Sequence, residues 1–290
     1  MDFATAVTAW FKQAARDLPW RSPDASAWGV LVSEVMLQQT PVNRVLPAYQ
    51  AWLTRWPEPA ALAADSPGEA VRMWAKLGYP RRALRLHACA VELVERFGGQ
   101  VPDDVDALLS LPGVGEYTAR AVATFAFGQR HPVVDTNVRR VVARAVSGQG
   151  EAGSPSTRRD LAAVEALLPA TLPAAAQFSA GAMELGALVC TARTPRCSEC
   201  PVATQCRWRL AGYPSYTGPQ RRAQRFAGTD RQVRGLLLDV LRGADGPVPA
   251  SALDISWPDS AQRARALDTL IVDGLVDPLP DGRFGLPGHR

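Results

Sequence analysis

Four cysteines at short spacing constrain this chain more than any other feature: Cys190, Cys197, Cys200 and Cys206, with six, two and five residues between them. Thiolates so close in sequence converge on one tetrahedral or cubane centre and pin the chain around it. Paired disulfides are the alternative in a secreted protein, but Met1-Asp2-Phe3-Ala4-Thr5 shows no basic stretch followed by an apolar run. An intracellular compartment keeps such thiols reduced. Structural zinc also accepts four thiolates. Zinc ribbons usually present two separated Cys-x-x-Cys knuckles, whereas here only Cys197 and Cys200 form one, so the spacing favours iron–sulfur over zinc. The fifth cysteine, Cys89, lies in a helical stretch and reads as a small buried hydrophobe.

The 290 residues suffice for one large or two modest domains with a substantial core, and no apolar run is long enough to span a bilayer. The net charge of +4 fits a polyanionic partner. Only Lys12 and Lys76 are lysines; arginine carries the rest, which suits phosphate recognition and equally suits a GC-rich genome. Hydrophobic periodicity is helical almost throughout. Phe3, Val7, Trp10, Phe11 and Ala14 mark an amphipathic helix. Ser66-Pro67-Gly68-Glu69 is a capping box opening a helix expected to run to about Gly78.

Three places carry chemistry. Leu111-Pro112-Gly113-Val114-Gly115 lies between helical patterns at Val105–Ser110 and Glu116–Phe127. A tight Gly-x-Gly turn lets backbone N–H groups approach a phosphate, next to the positive end of the following helix. Such a helix-hairpin-helix grips a DNA backbone without reading sequence, although glycine also serves a plain turn. Asp135, in Val134-Asp135-Thr136-Asn137-Val138, precedes a helix expected over Arg139–Val146. It reads either as an N-cap or as an ionised carboxylate beside a sugar cation, and spacing does not separate the two. Glu34 lies in a helix that is apolar on almost every side. It either occupies the one solvated stripe or faces an apolar cleft, where desolvation would raise its pKa and make it a proton donor.

Taken in order, Asp17-Leu18-Pro19-Trp20, Ser33-Glu34-Val35-Met36-Leu37-Gln38-Gln39-Thr40, Leu77-Gly78-Tyr79, Leu111–Gly115, Val134–Val138, Glu184–Cys190 and the cysteine quartet resemble the adenine DNA glycosylase (MutY) family of the helix-hairpin-helix superfamily. The resemblance covers residues 1 to about 210. It implies an all-α, two-lobed glycosylase fold with a 4Fe-4S cluster on the quartet. A six-helix barrel would occupy about 22–131, and a cluster lobe 1–21 with 132–213. The implied partner is double-stranded DNA containing a mismatch or an oxidised guanine, with the target adenine extruded into a pocket. By the same resemblance Glu34 protonates the departing base and Asp135 stabilises the oxocarbenium-like sugar, while Tyr117 and Asn137 orient those carboxylates. Arg16, Trp20 and Leu37 correspond to pocket positions, Gln39 and Tyr79 to residues that wedge into the opened stack, and Thr40 to the same substrate-binding run. Leu111, Gly113, Val114 and Gly115 correspond to the DNA-gripping hairpin. A monomeric, cytoplasmic, nucleoid-associated bacterial protein is expected, with no membrane partner.

Endonuclease III-like lyases carry lysine two residues after the second hairpin glycine; Tyr117 stands there, so simple base removal is expected over strand cleavage. Three departures are visible. Ala180 stands where the family often has Glu or Gln, and Thr136 where it usually has Gly. The residues after the cluster are too few for the family's usual lesion-recognising domain. The stretch 214–230 reads as a linker. Beyond it, helix, short helix, helix and a hairpin at Asp281-Gly282-Arg283 give 231–290 the order of a small winged-helix-like domain. The alternatives are a thymine or uracil mismatch glycosylase, which would share Asp135 and the cluster, and a non-catalytic iron–sulfur winged-helix regulator.

Overall fold

The computed structural model describes residues 1–218, 226–254 and 256–288. Part of the expected linker, and Ile255, which ends the short tail helix expected over residues 250–255, fall outside the described residues. The helices are α1 (Phe3–Ala14), α2 (Ala27–Leu37), α3 (Val42–Arg55), α4 (Pro59–Ala63), α5 (Pro67–Trp74), α6 (Arg81–Phe97), α7 (Val105–Leu109) and α8 (Glu116–Phe125). They continue with α9 (Thr136–Ala145), α10 (Thr157–Glu165), α11 (Leu172–Leu188), α12 (Arg207–Leu210), α13 (Asp230–Gly243), α14 (Ala250–Asp254) and α15 (Ser260–Val272). Three short strands, β1 (Val248–Pro249), β2 (Asp277–Pro278) and β3 (Arg283–Gly285), all lie in the tail. Among the described residues no helix is long and apolar enough to cross a membrane.

Contacts group the chain into two compact units, each made of three stretches: 1–30, 103–106 and 115–218 in the first, 31–102, 107–114 and 226–288 in the second. In the first unit α1 packs along α11, and α11 against α9. Its core is built from Val7, Val138, Val141, Phe178, Leu185 and Val189, with the Phe3 ring meeting Phe178 edge-on at 6.1 Å between centroids. Asp2 opens α1 by accepting the Thr5 N–H at 2.8 Å.

In the second unit α6 carries α4 and α5 on its apolar face, and three buried tryptophans fill the centre, with Trp52 edge-on to both Trp56 and Trp74. The capping box at Ser66 forms, its hydroxyl accepting the Glu69 N–H at 3.2 Å. Helix α5 ends at Trp74, four residues short of Gly78. Ala75 turns the chain at φ 45°, and the Trp74 indole donates to the Gly78 carbonyl at 2.9 Å, so a loop replaces the expected last turn. The tail follows the winged-helix order α13-β1-α14-α15-β2-β3, with strands arranged β1-β3-β2. Asp277 pairs with Gly285 and Pro278 with Phe284, and Gly282 turns the hairpin where it is expected.

The tail is anchored to α5 and α6 by reciprocal helix-end contacts. The Arg72 guanidinium donates to the carbonyls of Leu241, Arg242 and Ala244, and Arg242 donates back to the Val71 carbonyl at 3.0 Å. Carbonyls at a helix C-terminus lack intrahelical donors, so a cation there satisfies them and complements the dipole. Arg81 and Arg234 share Asp273.

Candidate active site and cluster site

The candidate residues divide between the two units. In the first, Asp135 is the N-cap of α9, which starts at Thr136 and not at Arg139 because Asp135 Oδ1 accepts the Val138 N–H at 2.7 Å. Its second oxygen accepts from Asn137 Nδ2, also at 2.7 Å. The capping role and a preorganised carboxylate are therefore the same geometry. Burial pushes the Asp135 carboxyl above the ordinary aspartate range, against the hydrogen bonds from Val138 and Asn137.

Asn137 is itself held. Arg140 donates to Asn137 Oδ1 at 2.7 Å, to the Gly186 carbonyl at 2.7 Å and, through Nε, to the Cys190 carbonyl at 2.7 Å. One guanidinium thus connects the amide that touches Asp135 with the backbone of a cluster cysteine. Gly186 makes the approach feasible: a Cβ there would lie 2.6 Å from Asn137 Cβ and 2.8 Å from its carbonyl oxygen. Tyr117 is half-buried on the first turn of α8.

Arg16, expected against the base, is engaged by Glu184 in a bidentate pair at 2.8 and 2.7 Å, and its backbone N–H joins at 3.0 Å. Arg21 adds a third donor side chain contact at 3.0 Å. Burial pushes the Glu184 carboxyl up, but the hydrogen bonds from Arg16 and Arg21 outweigh it and hold the group at about 2. Trp20 is buried in the short helical turn Pro19–Arg21 between those arginines.

In the second unit Glu34 is 4 % exposed, which removes the reading that places it on a solvated stripe. Leu37 is half-buried at the end of the same helix. Gln39 and Tyr79 both have left-handed backbones, φ 55° and 48°, and both side chains are exposed. Non-glycine residues in that region are held there only by their surroundings, and here the holder is Arg82. Its guanidinium donates to the carbonyls of Val35, Met36, Gln38 and Gly78 and to the Thr40 hydroxyl, at 2.7–3.0 Å. It also lies 5.5 Å from the centre of the Tyr79 ring. Thr40 is buried and donates to the Leu77 carbonyl at 3.3 Å, so it fastens the two turns together. Arg82 is 6 % exposed and burial lowers its pKa to about 10.

The hairpin forms between α7 and α8, with Val114 N–H bonded to the Leu111 carbonyl at 3.2 Å. Gly113 has φ 80°, and a Cβ there would meet Arg85 Cβ at 2.8 Å, so both conformation and space require glycine. Leu111 and Val114 are buried, which leaves only their backbone to reach a ligand; Gly115 caps α8 and is exposed.

The four cysteines line one cavity with Arg144 and Val189. Cys190 follows α11, Cys197 opens a short helical turn, and Cys206 precedes α12. Burial pushes the Cys200 thiol up to about 11, and the neighbouring thiols of Cys190, Cys206 and Cys197 oppose its ionisation. Four such groups ionise together only around a positively charged centre, which is what a metal cluster supplies. Arg144, buried, donates to Cys190 Sγ at 3.5 Å and to the Thr191 and Ala192 carbonyls. Cys89 is buried in α6, and burial pushes its thiol to about 12, consistent with a hydrophobe.

The sequence alone assigns no role to Arg82, Arg140, Arg144 or Glu184. Each has partners far along the chain (Glu184 lies 168 residues from Arg16), so no local pattern pairs them. The available signal was chemical: a charged residue inside an apolar run must be paired if it is buried.

Residues 32–165 match the HhH-GPD superfamily of base excision DNA repair proteins, and residues 190–206 match the iron–sulfur binding domain of endonuclease III. The quartet therefore holds a 4Fe-4S cluster. An adenine DNA glycosylase of Mycolicibacterium smegmatis is 60% identical over 284 residues, covering 98% of this chain and 95% of the relative. One from Mycobacterium tuberculosis strain H37Rv is 58% identical over 286 residues, with 98% and 93% covered. Those alignments extend into the tail. A thermostable thymine-DNA glycosylase structure superposes with a TM-score of 0.65 at 26% identity, covering 72% of this chain and 95% of that one.

Proposed function

The chain belongs to the adenine DNA glycosylase family, and from that premise we propose that it removes adenine mispaired with 8-oxoguanine or guanine in double-stranded DNA by hydrolysing the N-glycosidic bond. The observation that carries this reading is Asp135, a carboxylate gripped by a backbone N–H and by Asn137 on an element that Arg140 ties to a cluster cysteine. In this reading Glu34, buried among apolar neighbours, gives its proton to a ring nitrogen of the extruded adenine. The glycosidic bond breaks with its electron pair leaving on the base. The positive charge developing on the sugar is opposed by Asp135, whose orientation is set before substrate arrives. Water then adds to the sugar carbon and loses a proton, giving free adenine and an abasic site. No amine stands at position 117, and the tyrosine hydroxyl there cannot form a Schiff base, so the strand stays intact until alkali cleaves it. The cluster, when bound, fixes α9, α11 and α12 around the cysteines; the bond-breaking steps belong to the side chains.

The test is single-turnover base release from duplexes carrying A opposite 8-oxoguanine, A opposite G and T opposite G. The wild type is expected to release adenine from the first two. Glu34→Gln and Asp135→Asn are expected to lose at least 1,000-fold, about 4 kcal/mol of transition-state stabilisation, while still binding duplex. Faster release of thymine than adenine would establish the mismatch-thymine alternative, toward which the likeness to the thymine-DNA glycosylase structure points. Base release from none of the three would leave a DNA-binding regulator.

A further inference from the structure

Among its described residues the tail places one arginine where no structural task claims it. Arg234 pairs with Asp273, Arg242 with Asp239 and the Val71 carbonyl, Arg263 with Asp254, Arg265 with Asp230 and Arg283 with Asp281. Arg231, on the first turn of α13, is exposed, and among the described residues its guanidinium has no carboxylate or carbonyl acceptor. It lies instead against two aromatic rings, 5.1 Å from the centre of Tyr79 and 5.7 Å from that of Phe226. Tyr79 is 46 % and Phe226 54 % exposed. A cation at a helix N-terminus is disfavoured by the dipole, so this placement is not explained by helix stability. The reciprocal contacts of Arg72 and Arg242 fix α13 against α5, and Arg81 with Asp273 fixes the base of α15 near the start of α6. The guanidinium is thereby delivered to the Tyr79 ring by an anchored element.

We propose that the tail completes the base-stacking wedge: Arg231 clamps the Tyr79 ring from the side opened to solvent and, with Phe226, extends it into a stacking surface for the bases of a locally opened duplex. The proposal rests on the proposed function and on the family resemblance that reads Tyr79 as a residue wedging into the opened stack. Planar guanidinium and aromatic faces stack on any base, and the edge N–H donors of Arg231 stay available to base or phosphate acceptors. Arg82 holds Tyr79 from the protein interior, whereas Arg231 holds it from the tail. Arg231 is thus a positioning residue with a DNA contact of its own.

The test uses the full-length protein with its cluster and a duplex carrying 2-aminopurine next to the target adenine, so that fluorescence reports unstacking on binding. Arg231→Ala is expected to cut the fluorescence rise at least threefold and to weaken mismatch binding about tenfold. Arg231→Lys keeps the charge but not the planar stack, and is expected to retain binding to fully paired duplex while losing the fluorescence rise like the alanine variant. Arg283→Ala, which loses only an exposed ion pair, is the control and should match wild type. Full recovery of the signal in Arg231→Lys would mean that a point charge suffices and would overturn the stacking role. A wild-type signal in Arg231→Ala together with a lost signal in Tyr79→Ala would overturn this inference alone. A wild-type signal in Tyr79→Ala would remove the wedge and this inference with it, while adenine release by the wild type would still sustain the proposed function.

Discussion

Asp135 works against the stability of the structure that holds it. Its pKa is raised by burial from the model-compound value of 3.8, so between that value and the raised one the folded protein holds more protons than the unfolded chain. Folding stability therefore falls as pH rises through that window. Asparagine caps a helix as well as aspartate and carries no charge to desolvate. Asp135→Asn is accordingly expected to melt higher than wild type at pH 7, by roughly 2 °C or more, and to converge with it below about pH 4, where both side chains are neutral. Scanning calorimetry across pH checks this; equal melting temperatures at pH 7 would mean that the carboxylate is not strained. Glu184 has the opposite sign. Its pKa is lowered to about 2, so its contribution is present above the unfolded value of 4.5 and is lost as pH falls toward 2. Glu184→Gln keeps one acceptor oxygen but removes the charge and turns an NH2 donor toward the Arg16 and Arg21 guanidiniums, and is expected to destabilise the first unit by about 3 kcal/mol, measured by denaturant unfolding at pH 7.

At the scale of elements, the join between α9 and α11 decides whether Asp135 is usable. Gly186 lets the backbone at Asn137 approach α11, and an added Cβ would fall 2.6 Å from Asn137 Cβ and 2.9 Å from its carbonyl carbon. Backbone cannot rotate away as a long side chain can, so Gly186→Ala must move the start of α9 or of the cysteine segment. It is expected to lower base release at saturation at least 100-fold, a loss of about 3 kcal/mol, while duplex affinity changes less than threefold. A loss of affinity with an unchanged saturated rate would contradict it. The motif Glu184–Cys190 was visible as a family resemblance, yet the reason for its glycine was not, because the partner lies about fifty residues earlier in the chain. The same division runs through the rest. The cysteine quartet, the hairpin with Gly113 and the capping box at Ser66 were legible because their physics is local. Helix α9 starts three residues earlier than its apolar pattern, since the cap at Asp135 and not the pattern sets its start. Helix α5 stops at Trp74 because the loop that follows is shaped by Arg82 and the Trp74 indole, and neither contact has a sequence period.

On the scale of the whole molecule, neither compact unit is a continuous stretch of chain. The second combines residues 31–102 and 107–114 with the tail, so the tail belongs to the body that carries Glu34, Gln39 and Tyr79. The sequence reads as a linker followed by a small winged-helix-like domain; the long-range contacts of Arg72, Arg81 and Arg242 that join the tail to α5 and α6 have no local signature. The consequence concerns truncation. A chain ending at Gly228 would lose the Leu241, Arg242 and Ala244 carbonyls that satisfy the Arg72 guanidinium, and Asp273 as the partner of Arg81. Arg72 is 23 % exposed and would keep only its Nε bond to Glu69, and leaving the other end of a partly buried guanidinium without its carbonyl acceptors is destabilising by about 1–3 kcal/mol before any lost apolar contact is added. The truncated protein is expected to keep its brown cluster, because the quartet and its surroundings lie in the first unit, but to unfold at lower denaturant concentration in the second. Restoring the tail as a separate peptide of residues 229–290 should recover part of that stability only if its own helices form. Urea titration followed by tryptophan emission reads both units, with Trp52, Trp56 and Trp74 in the second and Trp10, Trp20, Trp28 and Trp208 in the first, while cluster absorbance reports on the first alone, so an emission change that precedes cluster loss belongs to the second unit. Coincident transitions at the wild-type midpoint would show that the tail is a dispensable appendage; an early tryptophan transition ahead of cluster loss would show that it is part of the body it was attached to.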